Sequence, residues 1–134
     1  MEIALDTSSI LFGFEKKIDA FDIAKEHGYT PIVSKGVIKE LEKLASSKSK
    51  KSIYAKLALN VIKAKKVKIV DSSEYVDSWL AKNKVVCTND LKLRRKLKEK
   101  GIRLLRLLLV VGLCDKHIIF IYFLSNRLCS NAQW

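Results

Sequence analysis

The feature that most restricts this chain is a series of short apolar runs that each stop at a polar or acidic residue. Glu2-Ile3-Ala4-Leu5 ends at Asp6, Pro31-Ile32-Val33 at Ser34, Val67-Lys68-Ile69-Val70 at Asp71, and Val85-Val86-Cys87-Thr88 at Asn89-Asp90. Runs this short suit buried strands rather than helices. Between them lie segments with apolar residues at helical spacing: 19–26, 35–46, 53–64 and 91–100, with a shorter one over 75–81. Strands alternating with helices predict a parallel sheet in a three-layer α/β/α domain, with a fifth strand over 102–105.

Local signals sharpen these bounds. Ser34 is the expected N-cap of the helix that follows it, and Gly28 and Gly101 are expected to stop the helices before them. Ile10-Leu11-Phe12 predicts a short helix broken near Gly13. In the 35–46 segment Val37, Ile38, Leu41, Leu44 and Ala45 form the apolar stripe, and Glu40 falls on its edge. Residues 107–134 leave this rhythm and read as an apolar C-terminal extension of a domain spanning 1–106. The extension's two apolar runs, 107–113 and 118–124, are each seven residues long. That is far below the roughly 20 residues of a membrane helix, so extra strands or a partner-binding surface are expected there, and no membrane.

Hydrophobic residues make up 49% and charged residues 30% of the 134, which excludes low-complexity and disordered classes. Cys87, Cys114 and Cys129 form no Cys-x-x-Cys pair, and two histidines cannot build a zinc cluster alone. The acidic start Met1-Glu2-Ile3 lacks a secretory pattern, so a reducing cytoplasm is expected. The net charge of +12 is concentrated rather than spread. Residues 43–70 carry nine lysines and no acid, and residues 91–106 carry eight cations against Glu99. Such stretches suit a polyanion, and Lys48, Lys50, Lys51, Lys56, Arg94, Arg95 and Lys98 are the expected phosphate contacts.

The acids give the chemistry. In open α/β sheets ligands bind beyond the carboxyl ends of the strands, and Asp6 and Asp90 both directly follow strands. Glu40 and Asp77 come from helices expected near that edge, and Asp71 with Glu74 competes with Asp77. Carboxylates gathered in so cationic a chain need a cation among them, and oxygen donors suit Mg²⁺ or Mn²⁺. Each acid also has a simpler explanation. Asp6 and Asp90 would cap the following turns, Glu40 would pair with Lys43, and Asp77 would be a solvated helix-start residue.

The ordered set Ile3-Ala4-Leu5-Asp6-Thr7-Ser8, Val37-Ile38-Lys39-Glu40-Leu41, Tyr75-Val76-Asp77-Ser78-Trp79 and Val85-Val86-Cys87-Thr88-Asn89-Asp90 resembles a PIN-domain nuclease. The basic helix Leu91-Lys92-Leu93-Arg94-Arg95-Lys96-Leu97 makes it most similar to the archaeal and eukaryotic PIN proteins of small-subunit ribosomal RNA processing. The resemblance implies a Rossmann-like, mainly parallel sheet of four to five strands and a metal-dependent endoribonuclease. It implies Asp6, Glu40, Asp77 and Asp90 as the Mg²⁺ or Mn²⁺ site, supported by Ser8 or Thr88. Asn89, like Thr88, is a candidate for orienting a metal-bound water or the Asp90 carboxylate. The twelve residues between Asp77 and Asp90 imply a shortened helix. The partners implied are RNA, ribosomal RNA included, and a second copy in a homodimer. Other functions carried beside this one are a non-cleaving RNA-binding assembly factor, a toxin-type ribonuclease held by an antitoxin, and a receiver-like phosphoacceptor. The last lacks its expected paired acids near the first strand.

Overall fold

The computed structural model describes residues 1–72, 74–112 and 118–125, with backbone alone for 108–112 and 118–125. Cys114, His117 and Cys129 lie outside the described residues. The order of elements is β1 (Glu2–Leu5), α1 (Thr7–Glu15), α2 (Ala20–Glu26), β2 (Thr30–Ser34), α3 (Lys35–Ala45), α4 (Lys51–Ala64), β3 (Lys68–Val70), α5 (Val76–Leu80), β4 (Val85–Cys87), α6 (Leu91–Glu99), β5 (Arg103–Gly112) and β6 (Ile118–Ser125).

The strands form one sheet in the order β3-β2-β1-β4-β5-β6. The first five strands are mutually parallel and β6 pairs antiparallel with β5. The expected parallel α/β/α sheet is therefore present, with β6 added at its edge. Ile3, Ala4 and Leu5 of β1 are all buried, as are Val85, Val86 and Cys87 of β4. Covering on both faces explains why these strands read as continuous apolar runs rather than alternating ones. Helix α1 packs against α2, α3 and α4, and the usual right-handed crossover implies that these four cover one face and α5 and α6 the other. The chain leaves β1 toward β2 and β3, then returns to lay β4 on β1's other side. The strand order thus reverses between β1 and β4, where a crevice opens at the carboxyl ends.

Local chemistry sets the element ends. Ser34 Oγ accepts from Val37 N at 3.2 Å and opens α3, while Asp19 caps α2 through Phe21 N at 2.9 Å. Gly28 and Gly101 take φ of +84° and +75° after α2 and α6, the left-handed backbone that glycine adopts at little cost. The implied shortened helix is α5, of five residues. Strand β5 is longer than expected and passes through residue 106 to Gly112. Among the described residues no helix is long and apolar enough to cross a membrane.

One expectation is corrected. Helix α1 does not break near Gly13 but runs on to Glu15. Glycine stands there because the chain folds back tightly: Ile18 N donates to Gly13 O at 2.7 Å, and a Cβ on Gly13 would lie 2.8 Å from Ile18 O. In an exposed helix, alanine in place of glycine gains about 1 kcal/mol. Here a backbone carbonyl must move, a cost of about 1–3 kcal/mol, which outweighs that gain. Gly13→Ala is therefore expected to lower the urea midpoint rather than raise it, with an unchanged m-value.

Candidate active site

Asp6 stands at the crevice, one residue past β1, and is 7% exposed. Its backbone extends the sheet by donating to Cys87 O at 3.0 Å. Its carboxylate is fixed by three donors. Oδ1 accepts from Thr7 N at 2.8 Å, and Oδ2 accepts from Ser8 Oγ at 2.9 Å and Thr88 Oγ1 at 2.8 Å. A carboxylate offers about four lone-pair directions, so one on Oδ1 is left for another ligand. Capping and site-building coincide, because Thr7 N is the first amide of α1.

Glu40 reaches the same crevice from α3. Its Oε2 accepts from Thr7 Oγ1 at 2.6 Å, a contact that joins residues thirty-three positions apart. In the sequence Thr7 stands out only as part of the Asp6-Thr7-Ser8 motif. The run of hydroxyls after Asp6 was the signal that it would bridge two acids. Asp77, in the first turn of α5, is exposed, and its charge acts on both Asp6 and Glu40. Burial pushes the Asp6 carboxyl above the ordinary aspartate range; its hydroxyl and amide donors pull it back, and Asp77 adds to the rise. Partial withdrawal from water raises Glu40 too, against the Thr7 bond and with the charges of Asp6 and Asp77.

Asp90 joins less directly. Its Oδ1 caps α6, accepting from Lys92 N at 3.0 Å and Leu93 N at 3.3 Å. Its amide donates to Thr88 Oγ1 at 3.2 Å, the hydroxyl that in turn donates to Asp6. Of the two acids left open, Asp77 is the one whose charge reaches the site. Asp71 is exposed and pairs with Lys35 at 3.0 Å. The other ion pairs of the described residues bind Glu2, Asp19, Asp22 and Glu74. None engages Asp6, Glu40, Asp77 or Asp90.

Two other expected residues have different work. Asn89 does not orient the Asp90 carboxylate. Its side-chain amide pairs with the Leu107 backbone, Nδ2 to O and N to Oδ1 both at 3.0 Å, and Oδ1 also accepts from Ser9 Oγ at 2.9 Å. Arg94 is not a surface phosphate contact. It is buried, and Nη1 donates at 3.1 Å to the carbonyls of Thr88 and Leu105. Lys48, Lys50, Lys51, Lys56, Arg95 and Lys98 are exposed. Cys87, fully buried below the site, has its thiol pushed up to about 12 by loss of solvent and is no nucleophile.

A family model described as a PIN-like domain matches residues 3–108. This chain belongs to the PIN-like domain family. A solved structure described as a domain of a functionally unknown protein from Methanocaldococcus jannaschii DSM 2661 is similar at a TM-score of 0.60 and 16% identity, over 87% of this chain and 98% of that one. It shares the fold. A search of curated proteins finds no match. PIN-like domains are nuclease-type folds that typically use divalent metals.

The donor chemistry of this PIN-like crevice fits such an ion. Among the described residues no three His, Cys, Asp or Glu side chains close around a single point. Mg²⁺, however, keeps most of its waters and is usually taken by one or two carboxylates directly. Asp6 with a free lone pair, beside Glu40 and Asp77 and lined by neutral hydroxyls, is an oxygen-only set with an uncompensated negative charge.

That charge has a measurable cost. A carboxyl raised in the folded state binds its proton more tightly there than in the unfolded chain. Ionising Asp6 therefore opposes folding. The cost is absent below the ordinary aspartate value of 3.8 and complete above the raised value. Without divalent metal, Asp6→Asn should be more stable than the parent at pH 7, and the difference should shrink as pH falls through the carboxylate range. Urea midpoints measured in EDTA across that range check the sign.

Proposed function

We propose that this protein is a metal-dependent endoribonuclease, with ribosomal RNA the substrate class to test first. The observation that carries this reading is the buried Asp6 carboxylate at the reversal point of the sheet, held by neutral donors, joined through Thr7 to Glu40 and within reach of the Asp77 charge, with no ion-pair partner among the described residues. A bound Mg²⁺ or Mn²⁺ would supply an activated water and neutralise charge developing on the scissile phosphate. Asp6 would hold it, with Glu40, Asp77 and Asp90 completing the oxygen donors. Thr88 and Ser8 fix the Asp6 carboxylate, so its free oxygen direction is set before substrate arrives. The exposed cations Lys48, Lys50, Lys51 and Lys56 at the start of α4, with Arg95 and Lys98 on α6, would track the phosphate backbone. Neutral pairing partners at the acids and free cations elsewhere let one polyanion be held by the surface while its cut phosphate approaches metal rather than carboxylate.

Asp6→Asn is expected to lower manganese-dependent RNA cleavage by about 100-fold or more while RNA affinity is kept or increased, since one repulsive charge is gone. Thr88→Val, which keeps shape and removes the hydroxyl, should cost about 10–100-fold. Mn²⁺ should raise the melting temperature of the parent and not of Asp6→Asn. Cleavage that persists in EDTA, or undiminished cleavage by Asp6→Asn, would refute the reading. RNA binding without cleavage would establish an assembly factor instead. Arg95→Ala and Lys98→Ala should each reduce the salt dependence of RNA binding by about 0.7 in log–log slope, the value for one lost contact to a single strand.

A further inference from the structure

The register of the sheet sets one cation beside the acids. Ala4 aligns with Val86 and Val86 with Leu104, while Leu5 aligns with Cys87 and Cys87 with Leu105. The ladder continues past these pairs: Asp6 N donates to Cys87 O at 3.0 Å and Thr88 N donates to Leu105 O at 3.1 Å. Asp6, Thr88 and Arg106 therefore form a row across the carboxyl ends of β1 and β4 and the adjoining stretch of β5. Aligned residues of parallel strands put their side chains on one face, and successive residues alternate between faces. Thr88 and Asp6 show this directly, since Thr88 Oγ1 donates to Asp6 Oδ2 at 2.8 Å. Arg106 follows them on that face, while its neighbours Leu105 and Leu107 are buried on the other.

The Arg106 guanidinium is uncommitted. It is partly buried and belongs to none of the ion pairs of the described residues. Its Nε is buried and meets no acceptor, whereas Nη1 and Nη2 carry no hydrogen bond among the described residues and stay open to solvent. The stem is thus anchored, and the two terminal nitrogens are the edge that a ligand can meet. Arg94, by contrast, donates to backbone carbonyls. Neighbouring strands lie about 4.8 Å apart, so the Asp6 and Arg106 backbones are about 10 Å apart with Thr88 between them. Acid and cation in this row do not pair, and the gap between them suits a phosphate. One of its non-bridging oxygens would face the Asp6 side and the other the guanidinium, whose parallel N–H groups match phosphate geometry.

We propose that Arg106 is a further catalytic residue, its terminal Nη groups taking a non-bridging oxygen of the scissile phosphate on the side away from Asp6. The inference rests on the nuclease reading and deepens it. In hydrolysis the water oxygen bonds to phosphorus and gives up a proton, while the bond to the leaving ribose oxygen breaks and that oxygen gains one. Between those states the non-bridging oxygens carry added negative charge. A guanidinium already in place stabilises that charge more than it stabilises bound substrate, so its loss falls on kcat rather than KM.

The test uses a single-stranded RNA oligomer that the parent cuts in Mn²⁺ at a mapped position. Arg106→Gln should lower kcat by about 100- to 1,000-fold, the range for removing one donor to developing charge, with KM little changed. Arg106→Lys, which restores the charge without the fork, should recover part of the loss. The two diastereomers of a phosphorothioate at the cut position give a second readout. Sulfur on the oxygen that Arg106 meets should slow the parent, and Arg106→Gln should lose that discrimination. A bracing role alone would move the melting temperature and leave the diastereomer ratio as it is in the parent. Arg106→Gln that folds and cuts with the parental kcat, or that keeps the parental ratio, overturns the assignment. If Arg106→Gln does not fold, Arg106→Lys decides: parental rate and ratio in that variant overturn it as well. Cutting that is lost in Asp6→Asn but kept in Arg106→Gln leaves the nuclease reading intact without this residue. If the parent cuts no RNA with Mg²⁺ or Mn²⁺, both fall together.

Discussion

A carboxylate must stay charged where the fold removes it from water, and the rest of the site follows from that constraint. Asp6 occupies the one place in the sheet where neighbouring strands diverge in connection, and it is nearly buried there. A buried anion needs either a cation or several hydrogen-bond donors. This chain has cations in excess yet supplies Asp6 with a backbone amide and two hydroxyls. Neutral donors hold the carboxylate's position without cancelling its charge. A lysine in the same place would stabilise the protein and remove its capacity to attract a divalent ion. The same logic extends to Thr7, which steadies Glu40 with a hydroxyl rather than an ammonium.

Holding those hydroxyls is the work of the segment after β4. Thr88 is locked from both sides: its amide donates to Leu105 O at 3.1 Å and its carbonyl accepts from Arg94. Asn89 substitutes its side-chain amide for a stretch of backbone and zips this segment to Leu107. Long strand β5 therefore braces the turn after β4, and the chain past residue 105 is tied to the candidate site through the Leu107 backbone. Arg94 shows how burial of a guanidinium is made tolerable, since it serves the carbonyls of Thr88, just past β4, and Leu105, within β5. Helix α6 in consequence has two distinct charged faces, with Arg94 turned inward as a brace and Arg95 and Lys98 exposed.

Much of this was legible in the residues because the relevant signals are local. Apolar runs ending in Asp6 or Thr88-Asn89-Asp90 place acids at strand ends, and a cap residue such as Ser34 acts within three positions of itself. What escaped is non-local. Gly13 reads as a helix breaker until the returning chain at Ile18 is known to press on it. The bridge from Thr7 to Glu40 depends on how α3 lies over α1. Charge alone assigns Arg94 to the surface, although it sits three residues before Leu97, on the side of the helix that Leu97 buries. Burial of that guanidinium is met by the carbonyls of Thr88 and Leu105, which its charge alone does not reveal.

Like charges kept together weaken a fold, and here the expense is confined. The carboxyls of Asp6 and Glu40 are raised by desolvation first and by each other and Asp77 second. The hydrophobic core, from Ile3 through Leu107, runs continuously beneath the site and carries stability independently of it. Five other acids of the described residues, Glu2, Asp19, Asp22, Asp71 and Glu74, are neutralised in ion pairs, with Lys65 bridging Asp19 and Asp22. Among the described residues the acids that act on one another by charge, with no ion-pair partner, are those at the reversal of the sheet: Asp6, Glu40 and Asp77. A distribution tuned for stability or solubility alone would not leave mutually repelling acids at the crevice that topology opens for a ligand.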